Sequence, residues 1–239
     1  MSISYFAYFE PSDPNARIAL ADFERARDVV RALPRLIRGL LFTPPETKTK
    51  HYFADDPPAP ALALQLYFDA VADLEAVLRR DGALQALAAA DALPSLKGAR
   101  ITHQAMVARR FPVDQPQFET VSTTLPCSYL VHYPGAAEDF NAWLAHYVDH
   151  HPGIMRRFPG IRQIEIYTRV DWVSFMPWER VDYMQRNKLV FDSPDALTAA
   201  LFSPVIAEMR ADFSQFPKFT GGNVHYPMLT REILPATAD

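Results

Sequence analysis

Ser4-Tyr5-Phe6-Ala7-Tyr8-Phe9 and Ser128-Tyr129-Leu130-Val131-His132-Tyr133 are two versions of one phrase, each an aromatic and apolar run of the kind that fits a half-buried strand. Working outward, Arg31-Ala32-Leu33-Pro34-Arg35-Leu36 is answered by Arg156-Arg157-Phe158-Pro159-Gly160-Ile161. Leu66-Tyr67-Phe68-Asp69 followed by Leu74 is answered by Leu189-Val190-Phe191-Asp192 followed by Leu197, and the segment around His103 by the segment around His225. All four matches keep their order at a shift of roughly 122 to 125 residues, which reads as an internal repeat. The units span residues 1–112 and 125–232, and the proline-rich stretch 111–126 between them reads as a linker.

Each unit has the same predicted element order. A strand (3–9; 127–133) leads into a helix with apolar positions Leu20, Phe23, Val30 and Leu33, or Phe140, Trp143 or Leu144, Tyr147 and Ile154. Strands at 39–43 and 163–169 and at 62–68 and 188–191 follow, then a second helix starting near Asp69 or Asp192. Ser193-Pro194-Asp195 supplies an N-cap, a proline at the first helical position and an early acid. A last strand closes each unit (100–108; 223–229). The pattern is β-α-β-β-α-β, an α+β ferredoxin-like unit. One such unit leaves a sheet face bare, so two tandem units are expected to pack as an intramolecular pseudo-dimeric α/β barrel.

Composition bounds the function. The 239 residues are 49% hydrophobic and 22% charged, as in a packed globular chain, with 21 prolines and only 8 glycines. No G-x-G-x-x-G, G-x-x-x-x-G-K-[ST] or G-x-S-x-G occurs, which weighs against dinucleotide, P-loop and α/β-hydrolase chemistry. A net charge of −4 argues against nucleic acid as a partner. No run of 18 apolar residues reads as a membrane span, and Glu10 and Asp13 in place of a basic n-region argue against a signal peptide. Cys127 is the single cysteine, so a reducing cytoplasm fits; it begins a strand and reads as a small core residue.

The second unit contains Phe140-Asn-Ala-Trp143-Leu-Ala-His146-Tyr147-Val-Asp149-His150-His151-Pro152-Gly153-Ile-Met-Arg-Arg-Phe158-Pro159-Gly160-Ile161. An aromatic four residues before His-Pro, then a Pro-Gly-Ile turn into the next strand, resembles the EthD family of the dimeric α/β-barrel superfamily. Leu189-Val-Phe-Asp-Ser-Pro-Asp-Ala-Leu197 and Phe219-Thr-Gly-Gly-Asn223 strengthen the resemblance, which covers roughly residues 125–232. The first unit has Arg25-Ala-Arg-Asp-Val-Val-Arg31 where the histidine motif should stand, so it keeps the fold and lacks the motif. The resemblance implies a small cavity between helices and sheet, used across the superfamily for acid–base and oxidative chemistry; it does not fix a reaction.

Pro152 is expected to end the helix at His151. A histidine there lies near the negative end of the helix dipole and is suited to proton transfer near neutral pH, or simply to capping the last carbonyls. His146 and His150, at i and i+4, share a helix face, but no third ligand stands at a diagnostic spacing, so no metal is expected and both read as solvent-facing. The stretch 169–186 gathers Trp172, Phe175, Met176, Trp178 and Tyr183 without a period, and is expected to lid the second cavity or cover the junction of the units. Its counterpart 43–60, with His51, Tyr52 and five prolines, reads as a stiffer cover. His132 and His225 alternate with Tyr133 and Tyr226, so one of each pair should face a cavity. Arg162 after the Pro-Gly turn is a candidate for a carboxylate or phenolate.

The leading functional reading is a cofactor-independent acid–base enzyme, an isomerase, cyclase, dehydratase or lyase, acting on a small aromatic, lactone or polyketide-like compound. His151, Tyr147 and His225 are its candidate catalytic residues, and Arg162, Trp172, Trp178, Tyr183, His132 and Trp143 its candidate substrate contacts. Two alternatives stand beside it: a cofactor-less or haem-type monooxygenase, and a non-catalytic ligand-binding accessory protein of an oxygenase system. The partner expected in each case is a small molecule, and pseudo-dimers could pair further.

Overall fold

A computed structural model describes residues 2–46, 56–118 and 124–236. The first half runs β1 (Ser2–Glu10), α1 (Leu20–Arg31), β2 (Arg38–Thr43), β3 (Leu62–Phe68), α2 (Val71–Leu78) and β4 (Arg100–Phe111), with short 3₁₀ turns at Ala83–Leu87 and Pro94–Leu96. The second runs β5 (Cys127–Tyr133), α3 (Phe140–Met155), β6 (Ile161–Arg169), β7 (Glu179–Arg180), β8 (Gln185–Phe191), α4 (Pro194–Leu201), α5 (Val205–Phe213) and β9 (Val224–Ile233).

Both halves have one strand order, β4-β1-β3-β2 and β9-β5-β8-β6. Antiparallel seams β2–β9 and β4–β6 join them into a closed eight-stranded barrel, which removes every sheet edge; β7 adds a short parallel pairing on β4. The registers repeat as well. Ala7 lies opposite His103 as Val131 lies opposite His225, and Tyr5 opposite Leu66 as Tyr129 opposite Leu189. The seams match in the same way, Gly39 to Ile233 and Ile164 to Phe111. The chain is therefore a mixed α+β pseudo-dimeric barrel, as its repeat predicts.

Strand alternation sorts side chains into three cores. Phe6, Tyr8, Leu40, Phe42, Tyr67, Leu130, Tyr167 and Met228 fill the lumen. The outward residues of the first half pack under α1 and α2, and those of the second under α3 to α5. The lumen also holds a satisfied ion pair: Lys188 Nζ lies 3.0 Å from Glu165 Oε2, with neither side chain exposed, and donates to Tyr67 at 2.7 Å and Gln65 at 3.1 Å. Burial lowers Lys188 to about 8. Burial pushes Glu165 up, but Lys188 and the phenols of Tyr167 and Tyr67 outweigh it and hold it at about 2.

Three local expectations are corrected. The helix does not stop at His151: α3 carries Pro152 inside it and continues to Met155, so His151 sits a turn before the end and is no C-terminal cap. Strand β8 begins at Gln185 rather than 188, because Gln185, Arg186 and Asn187, polar enough to read as a connection, are all buried in the barrel wall. A separate helix, α5, follows α4.

Candidate active site

A cavity of about 400 Å³ lies between the second half's sheet and α3, α4 and α5. Its walls are mostly apolar, with Met155, Phe158, Leu189, Phe191, Ile206 and Phe213 among them, and His151, His225 and Asn187 interrupt the apolar surface. A larger and more open groove of about 900 Å³ beside α1 and β9 mixes apolar walls such as Phe23 and Leu40 with Arg17, Glu24, Arg27, Arg38 and Glu232.

His151 is 4% exposed and its Nδ1 donates to Asp212 Oδ2 at 2.7 Å, which leaves Nε2 as its second ring nitrogen. Asp212 comes from α5 and also accepts from His146 Nε2 at 3.1 Å. Burial lowers the His151 pKa, and the hydrogen bond and charge of Asp212 offset this only in part, so the ring is neutral at pH 7 and able to take a proton. Asp212 is held low: its own burial opposes this, but His151 and His146 prevail. Phe216 and Tyr147 pack on the His151 ring at centroid distances of 5.1 and 4.8 Å and fix its plane.

His225 reaches the same cavity from β9. Its Nδ1 lies 2.9 Å from Asp56 Oδ2, and its ring stacks on Tyr129 at 5.3 Å. Asp56 belongs to the first half, so the β2–β3 connection of one half completes a site on the other. Tyr147 is buried behind His151 and does not line the cavity; its hydroxyl accepts from Asn187 Nδ2 at 2.6 Å. Burial puts the Tyr147 phenol well above its ordinary pKa, so it is a neutral positioning group. The other end of the Asn187 amide, Oδ1, is buried on the cavity wall with no protein partner.

The remaining predicted substrate contacts lie elsewhere. Trp172, Met176 and Trp178 belong to the first half's core, where Trp172 meets the rings of Tyr5 and His103 at 5.9 and 5.0 Å and Trp178 meets Phe9 at 5.5 Å. The stretch 169–186 therefore covers the first half, not the second cavity; Val173 N donates to Glu75, Phe175 N to the Leu78 carbonyl and Val181 N to the His103 carbonyl. Tyr183 and His132 lie against Arg186 at the barrel's end. Trp143 is fully buried and stacks on Tyr147 at 5.2 Å behind the cavity. Arg162 is tied to Asp192 at 2.9 Å and to the Gln115 carbonyl at 3.2 Å and does not line the cavity; it sits at the register shift of β6 between Ile161 and Gln163. His51 and Tyr52 lie outside the described residues.

Sequence spacing does not reveal Asp212, Asp56 or Asn187. Asp212 also supplies what the His146–His150 pair lacks by spacing, a third potential cation ligand, the three ligand atoms lying within 4.8 Å of one another. His146 is accordingly tied to a carboxylate and only partly exposed, while His150 is exposed and bonds the His146 carbonyl of its own helix.

No described protein family matches the chain, and no curated protein matches it in sequence. Solved structures do. An anthrone oxidase-like protein aligns over 99% of this chain and 97% of its own, with a TM-score of 0.61 and 11% identity. A proposed monooxygenase of Fusobacterium nucleatum aligns over 98% and 94%, with a TM-score of 0.59 and 6% identity. An EthD-family protein of Bacillus halodurans aligns over 41% of this chain and 96% of its own, with 19% identity and a TM-score of 0.34, too low to argue from. At such identities the first two show the fold: a dimeric α/β barrel, here closed within one chain. Among the described residues, no helix is long and apolar enough to cross a membrane.

Proposed function

We propose that the chain is a cofactor-independent acid–base enzyme whose working unit is the second half, residues 125–232, completed by Asp56 of the first, 1–112. The observation that carries this is the convergence of two histidines, each held at Nδ1 by an aspartate, on one apolar cavity. Neutral His151 removes a proton from carbon beside a carbonyl, and the electron pair moves to the carbonyl oxygen. His225, oriented at Nδ1 by Asp56, passes a proton from its other ring nitrogen to that oxygen or to another carbon. Asn187 Oδ1 accepts from a hydroxyl of the ligand. A planar hydroxylated aromatic ketone, lactone or polyketide-like compound fits such walls.

Anthrone is a suitable probe, since its methylene protons are acidic beside a conjugated ketone. Incubated anaerobically in D₂O, it should exchange those protons faster with the protein than without, and His151→Ala should reduce that acceleration by about 10²–10⁴. Equal exchange in the variant would remove His151 from the role. A second reading, oxygenation without a cofactor, draws support from the anthrone oxidase-like and monooxygenase neighbours. It predicts dioxygen uptake with anthraquinone and water as products, which an oxygen electrode and chromatography detect. A ligand-binding accessory role predicts saturable anthrone binding with neither exchange nor oxygen uptake.

A further inference from the structure

At one end of the barrel Arg186 is 1% exposed, and among the described residues no carboxylate lies within ion-pair distance of it, Glu10 acting on it only through space. Its Nε donates to Gln104 Oε1 at 3.2 Å and its Nη1 to His132 Nδ1 at 2.9 Å, both neutral acceptors. Nη2 is buried with no hydrogen-bond partner. The rings of Tyr183 and Tyr8 lie 4.4 and 4.8 Å from the guanidinium carbon and offset part of its lost hydration. A buried cation nevertheless needs a counter-charge, because desolvation of a guanidinium costs more than ring contacts return.

Beside Arg186 is a void of about 30 Å³ walled by Tyr8, Thr102, Tyr183 and Tyr226. That is room for one ion or two waters, and the walls offer hydroxyl donors together with a guanidinium. Glu10, the one acid on those walls, acts on Arg186 through space and is bonded to Arg100 at 3.2 Å, which also holds Glu179 at 2.7 Å. The corresponding position in the first half, by strand register, is Ala63, so the arrangement exists at one end only.

We propose that this void binds a small monovalent anion, of the halide class, against Arg186 Nη2. The site is separate from the histidine cavity and rests on the unpaired guanidinium rather than on the acid–base reading.

The test compares melting temperature in sodium chloride and in sodium gluconate, whose anion is too large for the void, at equal ionic strength. Chloride at ten times its dissociation constant should raise the midpoint by about 3–6 °C over gluconate. Arg186→Met should abolish the difference; if that variant does not fold, Tyr183→Phe, which removes one donor, should weaken chloride binding several-fold. A crystal soaked in bromide should show an anomalous peak within hydrogen-bond distance of Nη2. Identical midpoints in the two salts would overturn the proposal, and so would a chloride effect with no bromide peak at Arg186.

Discussion

The two halves share a strand order and registers, yet one has a cavity where the other has a plug. Under the helices of the first half, the space beside Tyr5 and His103 is filled by Trp172, Met176 and Trp178. Beside the corresponding pair, Tyr129 and His225, the second half keeps about 400 Å³ open. The plug comes from the second half's own β6–β8 connection, and the second cavity receives Asp56 from the first half's β2–β3 connection. Each half is thus finished by the other. One exchange supplies tryptophan rings and the other a carboxylate. What separates the plugged half from the open one is the chemistry of the reaching segment and the helix beside it, since α5 and its Asp212 stand where the first half has two 3₁₀ turns.

The largest effect that could break this comparison is catalytic. His151→Ala should remove about 10²–10⁴ of any exchange activity, whereas His103→Ala, in the plugged half, should leave it within a few-fold. Equal losses would mean that the halves do not differ as proposed. The next effect is structural. Trp172→Ala should cost about 3–5 kcal/mol, lowering the melting temperature by roughly 6–20 °C, because it empties a packed site. The same variant should create in the first half a void resembling the second cavity, visible as uptake of an apolar probe by a protein that still folds.

The barrel was legible because its evidence is local and periodic: strand phrases, Ser193-Pro194-Asp195, and a constant shift. His151 and His225 were legible as motif and strand positions. Their partners were not, because Asp212 and Asp56 lie 61 and 169 residues away and nothing in periodicity links such distances. Trp172 and Trp178 were visible as residues needing burial, but the half that buries them is decided by a crossover that composition does not record. Gln185, Arg186 and Asn187 hid the start of strand β8, because a polar run reads as a loop until closure of the barrel shows that it is buried in the wall.

Acid sharpens the comparison at intermediate size. Burial lowers His103 to about 4, with Arg180 adding to it, and lowers His132 and His151 as well. These rings are neutral when folded but take a proton near pH 6.5 when unfolded, so the unfolded chain binds more protons as pH falls. Stability should therefore drop on acidification from about 6.5 toward 4, on the order of 1 kcal/mol per pH unit for each histidine, and not at higher pH. Melting curves at pH 7.5, 6.5, 5.5 and 4.5 measure the slope. His103→Gln should flatten it by one histidine's share while leaving the second half's contribution; an unchanged slope would show that His103 titrates normally.

The smallest effect concerns how the helices begin. In the second half Asp139 accepts from Ala142 N at 3.0 Å and Ser193 from Ala196 N at 3.1 Å. In the first half α1 and α2 start after Ala19 and Ala70, neither of which has a side chain to cap with. Ala70 has φ −125° and ψ 148°, already the extended backbone of an N-cap, at the position matching Ser193. Ser193→Ala should cost about 1 kcal/mol, and Ala70→Ser should return about 0.5–1 kcal/mol, a shift of roughly 1–4 °C in opposite directions. If the helix starts are equivalent, the double variant melts close to the parent. A failure of Ala70→Ser to stabilise would mean that α2 is held by its buried face of Leu74, Val77 and Leu78, and that the first half spends its stability in packing where the second spends it in hydrogen bonds.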